Sequence, residues 1–219
     1  MDTPHLMLDA PAFICANTKI LSPPLVPEIR LQLAEESLPI WQRTEEELGE
    51  INVPPPYWAF AWAGGQALAR FVLDNRAMFA GRRVLDLGSG SGLTAIAAMK
   101  AGARACLAND IDALSLAAIA LNARENEVEL DVSDADLLEA VPGEYDVILV
   151  GDLFYERQLA DKVLRFIEKA TVKGAISLIG DPQRNYFPKG RFRKAADYEV
   201  QVTRDLEDAL IKRTAVWQA

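Results

Sequence analysis

Two hydrophobic rhythms alternate along most of this chain. Short apolar runs at residues 84–87, 105–108, 128–132, 146–150 and 175–180 read as buried strands. Between them, residues 91–101, 113–122 and 156–170 carry helical spacing, with Leu159, Val163 and Phe166 on one face of the last. Gly102 stands where a helix closes on a glycine. Residues 198–202 and 209–217 read as two closing strands joined by a turn near Asp205. Upstream, residues 66–75 form a further helix, with Leu68, Phe71, Val72 and Leu73 on or near its buried face. Residues 25–50 read as a short strand and then a helix bearing Leu38, Ile40, Trp41 and Leu48, stopped by Pro54-Pro55-Pro56. Residues 1–24 contain prolines and are weakly patterned. Strands alternating with helices predict an α/β fold with a doubly wound, mostly parallel sheet, and the terminal hairpin predicts an antiparallel edge. The expected division is an N-terminal extension over 1–50 and one domain over 51–219.

Composition narrows the picture. With 219 residues, half of them hydrophobic, the chain can bury one sizeable core. A net charge of -9 argues against a duplex nucleic-acid binder and favours a basic partner, such as a lysine-bearing protein. Glu35, Glu36, Glu45, Glu46, Glu47 and Glu50 make one segment acidic, either as a solvated helix face or as a docking surface for such a partner. Cys15 and Cys106 make no disulfide framework and fit a reducing compartment. His5 is the sole histidine, so a histidine-based nucleophile triad and a histidine-rich metal site are both excluded, and no metal is expected. No basic-then-apolar leader opens the sequence, and no apolar run approaches the ~20 residues that span a bilayer. The expectation is a soluble, cytoplasmic protein with no membrane partner.

The candidate chemistry begins at Gly88, Gly90 and Gly92, between a strand and a helix. Glycines there allow a tight turn and close ligand approach, and the helix N-terminus offers unpaired N–H groups. Nicotinamide and flavin enzymes use a related turn. Asp86 separates the readings, because a pyrophosphate would meet its carboxylate as a like charge. S-adenosylmethionine brings a cationic amino group and a sulfonium instead, which Asp86 attracts directly or through water; the bland alternative is that Asp86 merely caps the turn. Asp110, eighteen residues after Gly92, can accept hydrogen bonds from ribose hydroxyls. Asp112 reads as the N-cap of the next helix. Asp136 is either an acceptor for the adenine amino group or an ordinary turn residue.

Val84-Leu85-Asp86-Leu87-Gly88-Ser89-Gly90-Ser91-Gly92 resembles motif I of the class I, seven-β-strand methyltransferases. Asp110 matches that family's ribose acid. Gly151-Asp152-Leu153-Phe154-Tyr155 resembles the acidic-x-x-Tyr/Phe motif of its protein-lysine methyltransferases. The stretch from Pro54 to Arg70, with Val26-Pro27-Glu28-Ile29 and Gly180-Asp181-Pro182, is similar to the group that acts on electron transfer flavoprotein β subunit. Gln183 stands where that group's pattern would have glycine, and Ala63 where it would have proline.

The resemblance implies a Rossmann-like seven-stranded sheet with a final antiparallel strand. It also implies S-adenosylmethionine as cofactor and methyl transfer to lysine ε-amino groups of the flavoprotein. Asp152 would hold the ammonium or take its proton through water, and Tyr155 would orient the amine; the bland alternative is a helix cap beside a packing ring. The cofactor set is Trp62, Asp86, Gly88, Ser89, Gly90, Gly92, Asp110 and Asp136, with Trp62 drawn from an aromatic run, Tyr57, Trp58, Phe60 and Trp62, that otherwise reads as core. Lys189, Arg191, Arg193 and Lys194 read as a solvated loop or a contact for an acidic rim. Another protein, such as a ribosomal protein, or a small molecule remains an alternative methyl acceptor.

Overall fold

The computed structural model describes residues 9–35, 40, 55–202 and 210–219. His5, Leu38, Trp41, Leu48, the glutamates from Glu36 to Glu50, and the turn near Asp205 lie outside the described residues.

Seven strands form the main sheet: β3 (Arg83–Leu87), β4 (Ala105–Asn109), β5 (Asp131–Ser133), β6 (Val147–Gly151), β7 (Ile176–Asp181), β8 (Arg193–Gln201) and β9 (Ile211–Gln218). Their order is β5-β4-β3-β6-β7-β9-β8, parallel from β5 through β7, with β9 antiparallel to both neighbours. The parallel strands read as unbroken apolar runs because both faces are covered. Val84, Val147 and Leu149 point into one core with the helices Ala63–Asp74 (α2) and Leu93–Lys100 (α3). Leu85, Leu87, Ile148 and Val150 point the other way, onto Val163, Phe166 and Ile167 of Arg157–Val172 (α5). The remaining long helix, Ala113–Glu125 (α4), follows β4 and is capped by Asp112, whose carboxylate accepts from the Leu114 N–H at 3.0 Å. The sheet reverses direction at β3, which places a crevice at the carboxyl ends of β3, β4 and β6.

The terminal hairpin forms the antiparallel edge as expected; within it β9 lies between β7 and β8, since β9 carries the buried Thr214, Ala215 and Val216 while β8 is mostly exposed. Two expectations shift. β5 starts later than the apolar pattern suggests. The close of α4 draws Val128 back, with its N–H donating to the Ala123 carbonyl and Glu127 in the left-handed region at φ 56°. The weakly patterned start holds a helix, Ala10–Asn17 (α1), and a strand, Lys19–Leu21 (β1), paired antiparallel with Leu31–Leu33 (β2). Asp9 caps α1 through the Ala12 N–H at 3.2 Å.

This N-terminal segment shares the domain's core. Val26, Ile29, Leu31 and Leu33 pack in one cluster with α2 and α3. Two asparagines of α4 and its C-cap clamp β2 and its approach. Asn122 accepts from the Gln32 N–H at 2.7 Å and donates to the Ser91 carbonyl at 2.8 Å, and Asn126 bonds both backbone groups of Arg30.

At its other end α2 meets β7 without side chains between them. A Cβ on Gly64 would fall 2.2 Å from the Gly180 carbonyl oxygen, and one on Gly180 would fall 2.1 Å from that of Gly64. Gly64→Ala must therefore push helix from strand. Overpacking of this kind costs about 1–3 kcal/mol, or about 2–12 °C in Tm at this chain length. Thermal denaturation of the variant checks this, and an unchanged Tm would contradict the contact.

Candidate active site

A cavity of about 620 Å³ opens at the sheet reversal, within the range typical of small-ligand sites. One part of its wall is the glycine turn, from Leu87 to Ser91. Gly88, Gly90 and Gly92 all take positive φ, of 65°, 54° and 83°. Gly88 faces Leu153, where a Cβ would come within 2.8 Å of that side chain. Gly92 is turned away from the cavity, against Ile119 of α4, and serves as the N-cap of α3.

A glycine N-cap has no side chain to accept the helix's first N–H groups. Asp86 does so from β3. Its carboxylate accepts from the Ala95 N–H at 3.0 Å, from the Ser89 hydroxyl at 2.5 Å and from the Thr94 hydroxyl. The sequence sets Asp86 against the amino group of a bound cofactor. The structure instead turns its carboxylate inward, 1% exposed and absent from the cavity wall. Burial holds this carboxyl above the usual carboxylate range, opposed by its three hydrogen bonds. Ser89 reaches the cavity with its backbone while its hydroxyl serves Asp86.

Asp110 follows β4 at the cavity wall. One carboxylate oxygen accepts from the Gly90 N–H at 2.8 Å and the other from the Asp112 N–H at 3.0 Å. Each oxygen keeps a second acceptor position, which suits a pair of ribose hydroxyls. Burial raises its pKa as well, with the two backbone bonds opposing. Asp136 is exposed on the rim and accepts from the Leu138 N–H at 3.2 Å, capping a short 3₁₀ turn. Asn109, which the sequence reading passed over, pins this loop by donating to the carbonyls of Ser133 and Ala135. The turn, a carboxylate with two open acceptor positions, and a wall of Leu137, Leu138 and Leu159 together fit S-adenosylmethionine.

The second half of the cavity belongs to β6 and α2. Asp152 follows β6 in the left-handed region, at φ 59°, and is buried. It caps no helix of its own chain segment, since α5 begins later on the side chain of Glu156. Its Oδ2 accepts from the Gly65 N–H in the first turn of α2 at 2.8 Å. Its Oδ1 accepts from Arg184 Nε at 2.9 Å and Nη2 at 2.7 Å. Arg184 lines the cavity and lies over the Trp62 ring, 5.5 Å from its centroid. Trp62 is fixed by its indole N–H, which donates to the Tyr57 carbonyl at 2.9 Å. Tyr57 stacks obliquely on Tyr155, with centroids 5.4 Å apart. The sequence brings Asp152, Tyr155 and Trp62 forward separately; the structure assembles them, adding Arg184, Tyr57 and the Gly65 N–H. The Gly180-Asp181-Pro182 turn was the available signal for Arg184, because a strand ending in a tight turn returns the next residues toward the strand ends.

Of the basic cluster, Arg191 pairs with Glu168 and Lys194 with Asp197, so these charges are largely spent within the surface. Asp86→Ala would strand three buried donors, at a cost of at least about 3 kcal/mol, or about 6–12 °C in Tm. Denaturation measures that loss, and a Tm within 2 °C of wild type by such a measure would contradict the capping role.

Among known proteins, the family described as ribosomal protein L11 methyltransferase matches residues 66–175, half of the chain. An electron transfer flavoprotein beta subunit lysine methyltransferase from Xenopus laevis is 38% identical over 212 residues, covering 94% of this chain and 85% of that one. Its Homo sapiens counterpart is 36% identical over 214 residues, covering 94% and 80%. The fold matches that of magnesium protoporphyrin IX methyltransferase from Synechocystis, solved with bound S-adenosylmethionine, at a TM-score of 0.54, 16% identity, and 81% and 89% coverage. With that fold, that glycine turn and that extent of identity, the chain belongs to the family of electron transfer flavoprotein β-subunit lysine methyltransferases, enzymes that depend on S-adenosylmethionine.

Proposed function

We propose that the chain transfers methyl groups to lysine ε-amino groups of the electron transfer flavoprotein β subunit. One observation carries the reading: a buried carboxylate, Asp152, shares a cavity with the glycine turn and with the contacting rings of Tyr57, Trp62 and Tyr155. The names of relatives at 36–38% identity over most of the chain support the same acceptor. The net charge of -9 suits a basic side chain better than a nucleic acid. Cys15 and Cys106 are both free, which suits a reducing compartment such as the cytoplasm.

S-adenosylmethionine supplies an electrophilic methyl group on its sulfonium. The Gly88–Gly90 turn, Asp110 and Asp136 line the half of the cavity that would hold it, and Trp62 would close on it from the Asp152 half. The lysine must arrive as a cation and react as a neutral amine. Its free pKa is about 10.4, so the pocket has to favour loss of the proton. The aromatic walls strip water from the ammonium, which disfavours the charged form. Asp152 directs the side chain and fixes its orientation. Because Arg184 and the α2 N-terminus already engage both of its oxygens, it acts chiefly as an anchor. Burial pushes the Tyr155 phenol up to about 12, so it remains protonated at neutral pH. It can accept a hydrogen bond from the amine and cannot serve as a resting base.

The family match over residues 66–175 favours one other acceptor, ribosomal protein L11. Incubation with labelled S-adenosylmethionine and each purified protein separates the two. Label on lysines of the flavoprotein β subunit is the expected result; label on L11 alone, or on neither, defeats the proposal. Asp152→Asn should lower kcat by about 100-fold or more while calorimetry shows cofactor affinity preserved. Tyr155→Phe should lower it by about tenfold, and full turnover in either variant would remove that residue from the reaction.

A further inference from the structure

Behind the Arg184–Asp152 pair stands a second carboxyl. Asp181 ends β7, fully buried and outside the cavity wall. Its Oδ1 accepts from the Arg184 backbone N–H at 2.7 Å. Its Oδ2 is buried and has no hydrogen-bond partner among the described residues. Asp181, Pro182, Gln183 and Arg184 thus form a closed turn, with Gln183 in the left-handed region at φ 65°. That turn reverses the chain and returns the Arg184 guanidinium to Asp152. The two strand ends are stitched a second time by the Asp152 N–H, which donates to the Gly180 carbonyl at 3.0 Å.

The charged groups facing Asp181 are Asp152, from the end of β6, and Arg184, from its own turn. The elements packed on it bring none among the described residues: α2 contributes Gly64 beside Gly180, and β9 contributes Ala215 opposite Asp181 and the Trp217 indole toward its carbonyl. Loss of the Asp181 proton adds one negative charge beside the Asp152–Arg184 pair. A buried carboxylate oxygen lacking a donor is costly, and holding a proton relieves the cost.

We propose that Asp181 is a positioning residue for methyl transfer: it closes the turn that holds Arg184 on Asp152, and its proton sets the net charge that the pocket presents to a lysine side chain. The proposal rests on the lysine-directed function above. Burial, reinforced by the neighbouring Asp152 charge, pushes the Asp181 carboxyl up to about 7. The exchange therefore falls in the physiological range, and a rising pH strengthens the attraction for an ammonium group.

Asp181→Asn keeps the Oδ1 acceptor and mimics the protonated form. With the flavoprotein β subunit as substrate, wild type and variant should have similar kcat/KM at pH 6. The wild type should exceed the variant by about tenfold at pH 8, with the difference in KM and not in kcat. A second readout needs no substrate. Between the ordinary carboxylate range and about pH 7, the unfolded chain has lost this proton and the folded chain still holds it, so wild-type stability falls as pH rises. The Asn variant lacks that loss, and its Tm should gain on the wild type by about 5–10 °C from pH 5 to pH 8. Should the variant fail to fold, infrared titration of the wild type should show a buried protonated carboxyl disappearing over the same interval. A pH-independent Tm difference, no such infrared band, or a flat activity ratio in an enzyme that does methylate the flavoprotein overturns the proposal. A wild type inactive on the flavoprotein at every pH defeats the function proposed above, and the Tm and infrared readouts then decide on the Asp181 proton.

Discussion

The approach of Gly64 to Gly180, backbone against backbone, sets the spacing of the half of the cavity that contains Asp152. Any side chain at either position would hold the N-terminus of α2 away from the ends of β6 and β7. Because none intervenes, the Gly65 N–H reaches Asp152, and the positive end of the helix dipole steadies a buried carboxylate. Trp62, one residue ahead of α2, is carried to Arg184 by the same approach, and its indole fixes the path of the chain at Tyr57. The other half of the cavity is set independently, by the glycine turn after β3. The two halves meet where Gly88 faces Leu153.

Aspartates stand at or just beyond the carboxyl ends of five neighbouring strands: Asp86, Asp110, Asp136, Asp152 and Asp181. Their surroundings make them different reagents. Asp86 has three donors and no exposure, so it is a structural cap. Asp110 has two donors and open acceptor positions facing the cavity. Asp152 is matched by a guanidinium and a helix N-terminus. Asp181 is met by backbone N–H groups of its own turn on one side and has an oxygen left over. The number and kind of donors around each carboxylate decide what it can do, more than its place in a motif.

The parallel strands and the helices between them were legible because burial on both faces leaves continuous apolar runs that local sequence cannot disguise. The glycine turn was legible because positive φ at three positions leaves its mark as glycine. Gln183 is instructive in the other direction. The pattern asks for glycine there, and the backbone does take φ 65°, so the conformational demand is met by a residue that bears its strain, about 1–2 kcal/mol. What could not be read was partnership across the fold. Asp86 was visible, but the direction of its carboxylate depends on Gly92 leaving α3 uncapped. Arg184 was visible as a neighbour of Gln183, but its pairing with Asp152 depends on the β7 turn. The α1 and β1 elements are too short to show a period, and they hold their shape by packing on α4 and β2.

Asn122 gives the N-terminal strand a stake in ligand binding. One amide group holds the Gln32 N–H through its oxygen and the Ser91 carbonyl through its nitrogen, with the side chain fully buried between them. Detaching β2 would leave the Asn122 oxygen unsatisfied on the same amide that holds Ser91 in the glycine turn. Ordering of that turn by a ligand and docking of the strand therefore draw on a common free energy, and linkage makes the coupling reciprocal. A strand on the far side of α4 thus shares one buried amide with the turn that lines the cavity.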